Sequence, residues 1–220
     1  DMGEQVMNLL DGNNIPTLNI IFLLTIIALL PSIVVMVTSF TRIIIILSFL
    51  RNAMGIQQVP PNVVLAGLSL FLTLFIMGPT LNQINVQAYL PYRQEQITQE
   101  EALKRATVPL KEFMLRQTEK GTLNMYLDMA GQELTDKVED LPLTVIVPSF
   151  MTSELKHAFL AGFLIYLPFL LIDMVTASIL MSMGMVMLPP AMISLPFKLL
   201  LFIAVDGWEL LFSSIVKSFY

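Results

Sequence analysis

The sequence predicts an all-α polytopic membrane protein, built as two apolar helical hairpins with a small soluble helical region between them. Three observations carry this. Hydrophobic residues make up 55% of the 220 residues and charged residues only 13%, against roughly a quarter charged in ordinary soluble domains. Two long stretches, Asp11 to Arg42 and Arg51 to Arg93, hold no charge between their ends. The charge is instead concentrated in residues 93–156, which hold eleven acidic and eight basic side chains. The expected division is 1–81 for the first hairpin with an N-terminal extension, 82–150 for the soluble region, and 151–220 for the second hairpin.

Taken in order, Ile15 to Phe40 is apolar enough for a spanning helix of ~20 residues, with Pro31 as a kink. Arg42 and Arg51 flank a piece too short to span alone, and Gly55 with Pro60-Pro61 marks a turn. Val63 to Leu81 forms the next apolar helix, ending near Gly78-Pro79. In the polar middle, Thr98-Gln-Glu-Glu101 reads as a capping box. Leu103, Ala106, Leu110 and Phe113 then recur at helical spacing, with Pro109 as a kink and Gly121 as a stop. Leu141 to Val147 reads equally as a strand or a buried loop. Thr152-Ser153-Glu154 offers an N-cap and first-turn acid for a helix running to about Met183. Ala191 to Tyr220 forms a fourth apolar helix.

Chemistry is sparse. The chain has no cysteine and one histidine, His157, so thiolate and His-pair metal sites are excluded, and no HExxH, GxSxG or P-loop pattern occurs. A net charge of −5 gives no support to nucleic-acid binding. The chain is read as a non-enzyme that needs no cofactor. His157 at a helix start reads as an interfacial side chain. Arg42 and Arg51 read as topology anchors, since positive charge sorts to the cytoplasmic side; a substrate-facing role is the alternative. Asp173 and Lys198 sit inside long apolar stretches, where a charge costs several kcal/mol, roughly 2.5–3.5 on insertion scales, unless paired or hydrated. They read either as a structural ion pair, within the chain or with a neighbour, or as a proton or ion site.

The most distinctive stretch is Asp173 to Pro190. Met181, Met183, Met185 and Met187 alternate, Gly184 interrupts them, and Pro189-Pro190 closes the run. A helix fails there. Methionine is unbranched and adaptable, so the turn reads either as core filler or as a conformable seal.

The segments SFTRIIIILSFLRNAMGIQQVPPNVVLAGLSLFLT (39–73), PSFMTSELKHAF (148–159), GFLIYLPFLLIDMVTASILMSMGMVMLPP (162–190) and LPFKLLLF (195–202) closely resemble the flagellar biosynthetic protein FliP family, which is shared with virulence type III secretion. The resemblance implies a core subunit of the flagellar protein-export gate, at the basal body in the bacterial inner membrane, with much of the assembled chain on the periplasmic side. It implies a closed ring of about five copies assembled with FliQ-like, FliR-like and FlhB-like subunits around a path for unfolded flagellar proteins. It also implies a cleaved signal peptide before Asp1. The family's pore gasket maps to Met185, Val186 and Met187, where many relatives have three methionines, so Val186 is a departure. Met181, Met183, Gly184, Pro189 and Pro190 shape the surrounding turn. Asp173, Lys198 and Glu154 become inter-subunit contacts. Two other functions stay open: a proton-coupled carrier using Asp173, and a non-conducting assembly scaffold.

Overall fold

The computed structural model describes residues 15–220 apart from 57, 134 and 136. Every regular element among them is helical. The described residues divide into two compact units, 15–36 and Val37–Tyr220. The first is all but the last residue of helix α1, Ile15–Val37, which contains Pro31 without ending there. Ile20, Leu23, Leu24 and Ile27 lie exposed along it.

The second unit is organised around two helices. Helix α2, Phe40–Ala53, packs along α6, Leu143–Ser182. Ile43, Ile46, Leu47 and Leu50 are buried on α2, the i, i+3, i+4, i+7 spacing of a single helix face. Each contributes about 1.5–3 kcal/mol from burial. The helices approach closely at Gly162, where an added Cβ would lie 2.5 Å from Cγ of Phe49. The Phe49 ring in turn meets Phe159 edge-on at 5.3 Å. Gly162→Val is therefore expected to overpack this contact and cost about 1–3 kcal/mol. Titration of helicity with denaturant would show it, and adding Phe49→Ala should recover part of the loss.

Helix α3, Asn62–Ile84, runs on through a π-turn at Asn85–Tyr89 and a last α-turn to Arg93. Its buried residues Leu65, Ser69, Thr73, Ile76, Met77 and Thr80 form one stripe. The expected end near Gly78-Pro79 is absent because Pro79 lies inside the helix.

The polar middle folds as α4, Gln99–Gln117, and α5, Lys120–Ala130. Thr98 caps α4 by accepting from the Glu101 backbone N–H at 3.3 Å, as its sequence predicts. Pro109 does not break α4. The break falls at Thr118-Glu119 rather than Gly121, because the Glu119 N–H donates to Ser153 Oγ on α6 at 3.0 Å. Gly131 ends α5 in the left-handed conformation, φ 62°, where glycine pays no Cβ penalty.

Leu141 to Val147 is neither strand nor loop beyond its first residues, since α6 begins at Leu143 and continues for 40 residues through Pro148 and Pro168. Lys111 fixes the entry by donating to the carbonyls of Glu139 and Leu141 at 2.8 and 2.7 Å. Thr152-Ser153-Glu154 is therefore mid-helix, and Ser153 bonds back to the Ser149 carbonyl. The final apolar stretch is two helices, α7 at Pro190–Ala204 and α8 at Gly207–Lys217, bent by 63°. The break has a cause that composition hides. A Cβ at position 207 would lie 2.3 Å from the Phe202 ring, so glycine lets that ring fold over the bend, with Trp208 edge-on to it at 5.1 Å.

Two described helical runs, Asn62–Arg93 and Leu143–Ser182, are long and apolar enough to cross a membrane, and up to four spans result if bent pairs are counted as one each.

Candidate functional site

The turn after α6 is set by its hydrogen bonds. Gly184 takes φ 75°, its N–H donates to the Met181 carbonyl at 3.0 Å, and the Met185 N–H donates to the Leu180 carbonyl at 2.9 Å. This pair of 5→2 and 6→1 bonds is a Schellman motif. Gly184 is thus the residue that stops the helix, and Pro190 at the first position of α7 starts the next. Between them the side chains have little to rest on. Met187 is 98% and Val186 80% exposed, and Met181, Met183, Met185 and Leu188 are also exposed. None of the methionines named in the sequence reading is a buried core residue in this chain.

Below the turn, α6 and α7 are joined by a polar clasp. Lys198 Nζ donates to Asp173 Oδ2 at 2.6 Å and to the Ala53 carbonyl at 3.2 Å. Ser194 Oγ donates to Asp173 Oδ1 at 2.5 Å. The lysine side chain is 4% exposed and the aspartate 28%. The structure thus brings Asp173 and Lys198 together within one chain, one of the two pairings the residues left open. Ser194 and the end of α2 are participants that spacing alone did not point to.

A second polar cluster lies farther down α6. Arg42 on α2 grips Glu154 with two donors: Nε reaches Oε2 at 2.9 Å and Nη2 reaches Oε1. Nη1 donates to the Ser218 carbonyl and hydroxyl, and Nη2 to Gln117 Oε1 at 3.1 Å. The guanidinium lies 3.9 Å from the centre of the Phe219 ring. Glu154 is completely buried, so this fork is the compensation that makes its charge tolerable. His157 Nδ1 lies 3.2 Å from Arg42 Nη2 and its other nitrogen faces Glu119. Lys156 donates to Glu119 at 2.6 Å, and that ammonium holds the Glu119 carboxyl below the ordinary range. Arg51 closes the first turn instead, donating to Asn62 Oδ1 at 2.6 Å and to the Pro60 carbonyl.

The Arg42–Glu154 pair was missed from sequence because 112 positions separate its members. Arg42 carried a signal as a lone charge entering an apolar run, whereas Glu154 stands among Thr152, Ser153, Lys156 and His157 and carried none. Among the described residues no group of acidic, histidine or cysteine side chains is placed to hold a metal ion. An apolar cavity of about 520 Å³ lies between α6, α7 and α8, with Arg42 and His157 at one wall.

Comparison with known proteins agrees with the arrangement of motifs along the chain. The FliP family profile matches residues 23–215. A flagellar biosynthetic protein FliP from Pectobacterium carotovorum is 54% identical over 198 residues, covering 90% of this chain and 77% of that protein. The protein of the same name from Bacillus subtilis is 50% identical, covering 92% of each. That from Aquifex aeolicus is 49% identical, covering 95% of this chain and 88% of its own length. Such identity over nearly the whole length, from two charge-free stretches to the Met-rich turn, means that the chain belongs to the FliP family.

Proposed function

We propose that this chain is a core subunit of the flagellar protein-export gate, in the bacterial inner membrane at the basal body. In this proposal about five copies close a ring with FliQ-like, FliR-like and FlhB-like subunits around a path for unfolded flagellar proteins. Residues 1–81 and 151–220 act as the two apolar hairpins, and 82–150 as the polar region between them. Asp173, the partly exposed member, also serves the contacts between copies, with Lys198 and Glu154 supporting them from within the chain, and Arg42 and Arg51 help set topology.

The observation that carries the reading is the exposed turn at Met185, Val186 and Met187. Large apolar side chains fully open to water are unfavourable by about 25 cal/mol per Å², so in the working assembly they need something to close on. Meeting at the axis of a ring, they would exclude ions by dewetting and yield around a passing chain because methionine repacks easily. The Schellman stop at Gly184 and the proline pair hold the turn open from either side. A carrier that uses Asp173 as its proton site is less well supported, since both carboxylate oxygens are already engaged.

The test is conductance. Replacing Met185 and Met187 with alanine in purified gates reconstituted in planar bilayers should raise the resting ion leak several-fold. Unchanged conductance would overturn the closure.

A further inference from the structure

We propose that Ser194 is the positioning residue of the Met-rich turn. Its hydroxyl and Lys198 hold the two oxygens of Asp173, so that α6 and α7 enter the turn in one fixed register. The inference rests on reading the turn as the closure of the gate, and adds the residue that aims it.

The turn itself has few means of fixing its own direction. Its two backbone hydrogen bonds, from Gly184 and Met185, return to α6 and specify only how that helix ends. From Val186 to Leu188 the side chains stand exposed. The direction of the turn is therefore inherited from how its two arms are set against each other. Asp173 lies 11 residues before Gly184 and Ser194 lies 10 residues after it, so the clasp ties the arms at matched distances from the bend.

A single Lys–Asp contact would not fix register. The lysine stem is long and rotatable, and an ammonium is a point charge that accepts many approach directions. A serine side chain is short, with one rotatable bond to its oxygen. Ser194 is fully buried and lies 2.5 Å from Oδ1, so it leaves the carboxylate little room to turn. The Ser194 hydroxyl also lies 3.2 Å from the Ala191 carbonyl one turn back. With one proton to give, it serves the shorter, charged contact, and such bonds are roughly twice as strong as neutral ones. Losing it leaves Asp173 held by Lys198 alone.

The absence of cysteine from the chain allows a direct measurement. A nitroxide placed at Leu188→Cys in the export complex, purified from membranes into lipid nanodiscs, reports turn mobility independently of ion flow. Ser194→Ala is expected to increase the mobile spectral fraction several-fold and to raise ion leak. Ser194→Thr, which keeps the hydroxyl, should restore the parent spectrum. An unchanged spectrum in Ser194→Ala overturns the proposal. If Ser194→Ala does not assemble, Ser194→Thr decides. Assembly with an immobile label supports the hydroxyl's role, and failure of both overturns it, because the buried volume rather than the hydroxyl would then be what matters. A mobilised label with unchanged leak upholds the clasp and removes the closure reading instead.

Discussion

Arg42→Met is expected to destabilise the helical body by about 3–5 kcal/mol, the range for removing one partner of a buried ion pair. The substitution preserves a long apolar stem at a position that is 4% exposed, so the buried volume changes little. What it removes is the guanidinium that grips Glu154, whose side chain has no exposed surface. The carboxylate must then either remain charged without compensation or take up a proton. Arg42→Lys should fall between parent and Arg42→Met, because an ammonium cannot reproduce the fork that reaches both carboxylate oxygens. The double change Arg42→Met with Glu154→Met should recover most of the loss, as apolar replacements of buried pairs often do. Unfolding in mixed detergent micelles, followed by far-UV circular dichroism, provides the measurement. A single substitution as stable as the parent would show that the pair is not holding α2 to α6.

The clasp above it should respond asymmetrically. Asp173→Ala strands the Lys198 ammonium, whose side chain is 4% exposed, with the Ala53 carbonyl as its remaining partner. The expected cost is again about 3–5 kcal/mol. Lys198→Met instead leaves Asp173 with 28% of its side chain exposed and with the Ser194 hydroxyl still donating. Water can supply the rest, so the cost should be nearer 1–3 kcal/mol, the desolvation scale for one lost partner. The same micelle titration on both variants tests the order. Equal or inverted losses would mean that the burial difference between the two partners does not govern the pair.

Much of the architecture was legible in the chain because its signals are local. Charge-free runs marked the apolar helices, Thr98 with Glu101 marked the start of α4, and Gly184 marked a helix end that the backbone takes as a left-handed turn. The misplacements share one origin. Pro79 was read as a helix end, Pro109 as a kink, and Leu141 to Val147 as strand or loop, yet Pro79, Pro109 and Pro148 each sit within a helix, where packing against neighbouring helices outweighs the single lost hydrogen bond. The actual break at Thr118-Glu119 depends on Ser153, and the one at Asp206 on the Phe202 ring closing over Gly207. Neither partner is visible from the residues at the break. The candidate site divides in the same way. Its turn was legible because methionines, glycine and prolines lie together in sequence. Its polar supports were only half legible, since Asp173 and Lys198 stood out as charges in apolar surroundings while Ser194 did not, and Arg42 and Glu154 come from distant segments.

The continuity of α6 across two prolines has a mechanical consequence. Glu154 and Asp173 lie on one uninterrupted helix, about 28 Å apart along its axis and about 100° apart around it at 1.5 Å and 100° per residue. Arg42 near the start of α2 grips the first, and the Ala53 carbonyl at its end shares Lys198 with the second. The two helices are thus tied at two levels, directly at Glu154 and through Lys198 of α7 at Asp173, which opposes sliding and rolling of one on the other. The arrangement is that of a braced frame, in which a displacement at the Met-rich tip would be opposed first at Asp173 and again at Glu154.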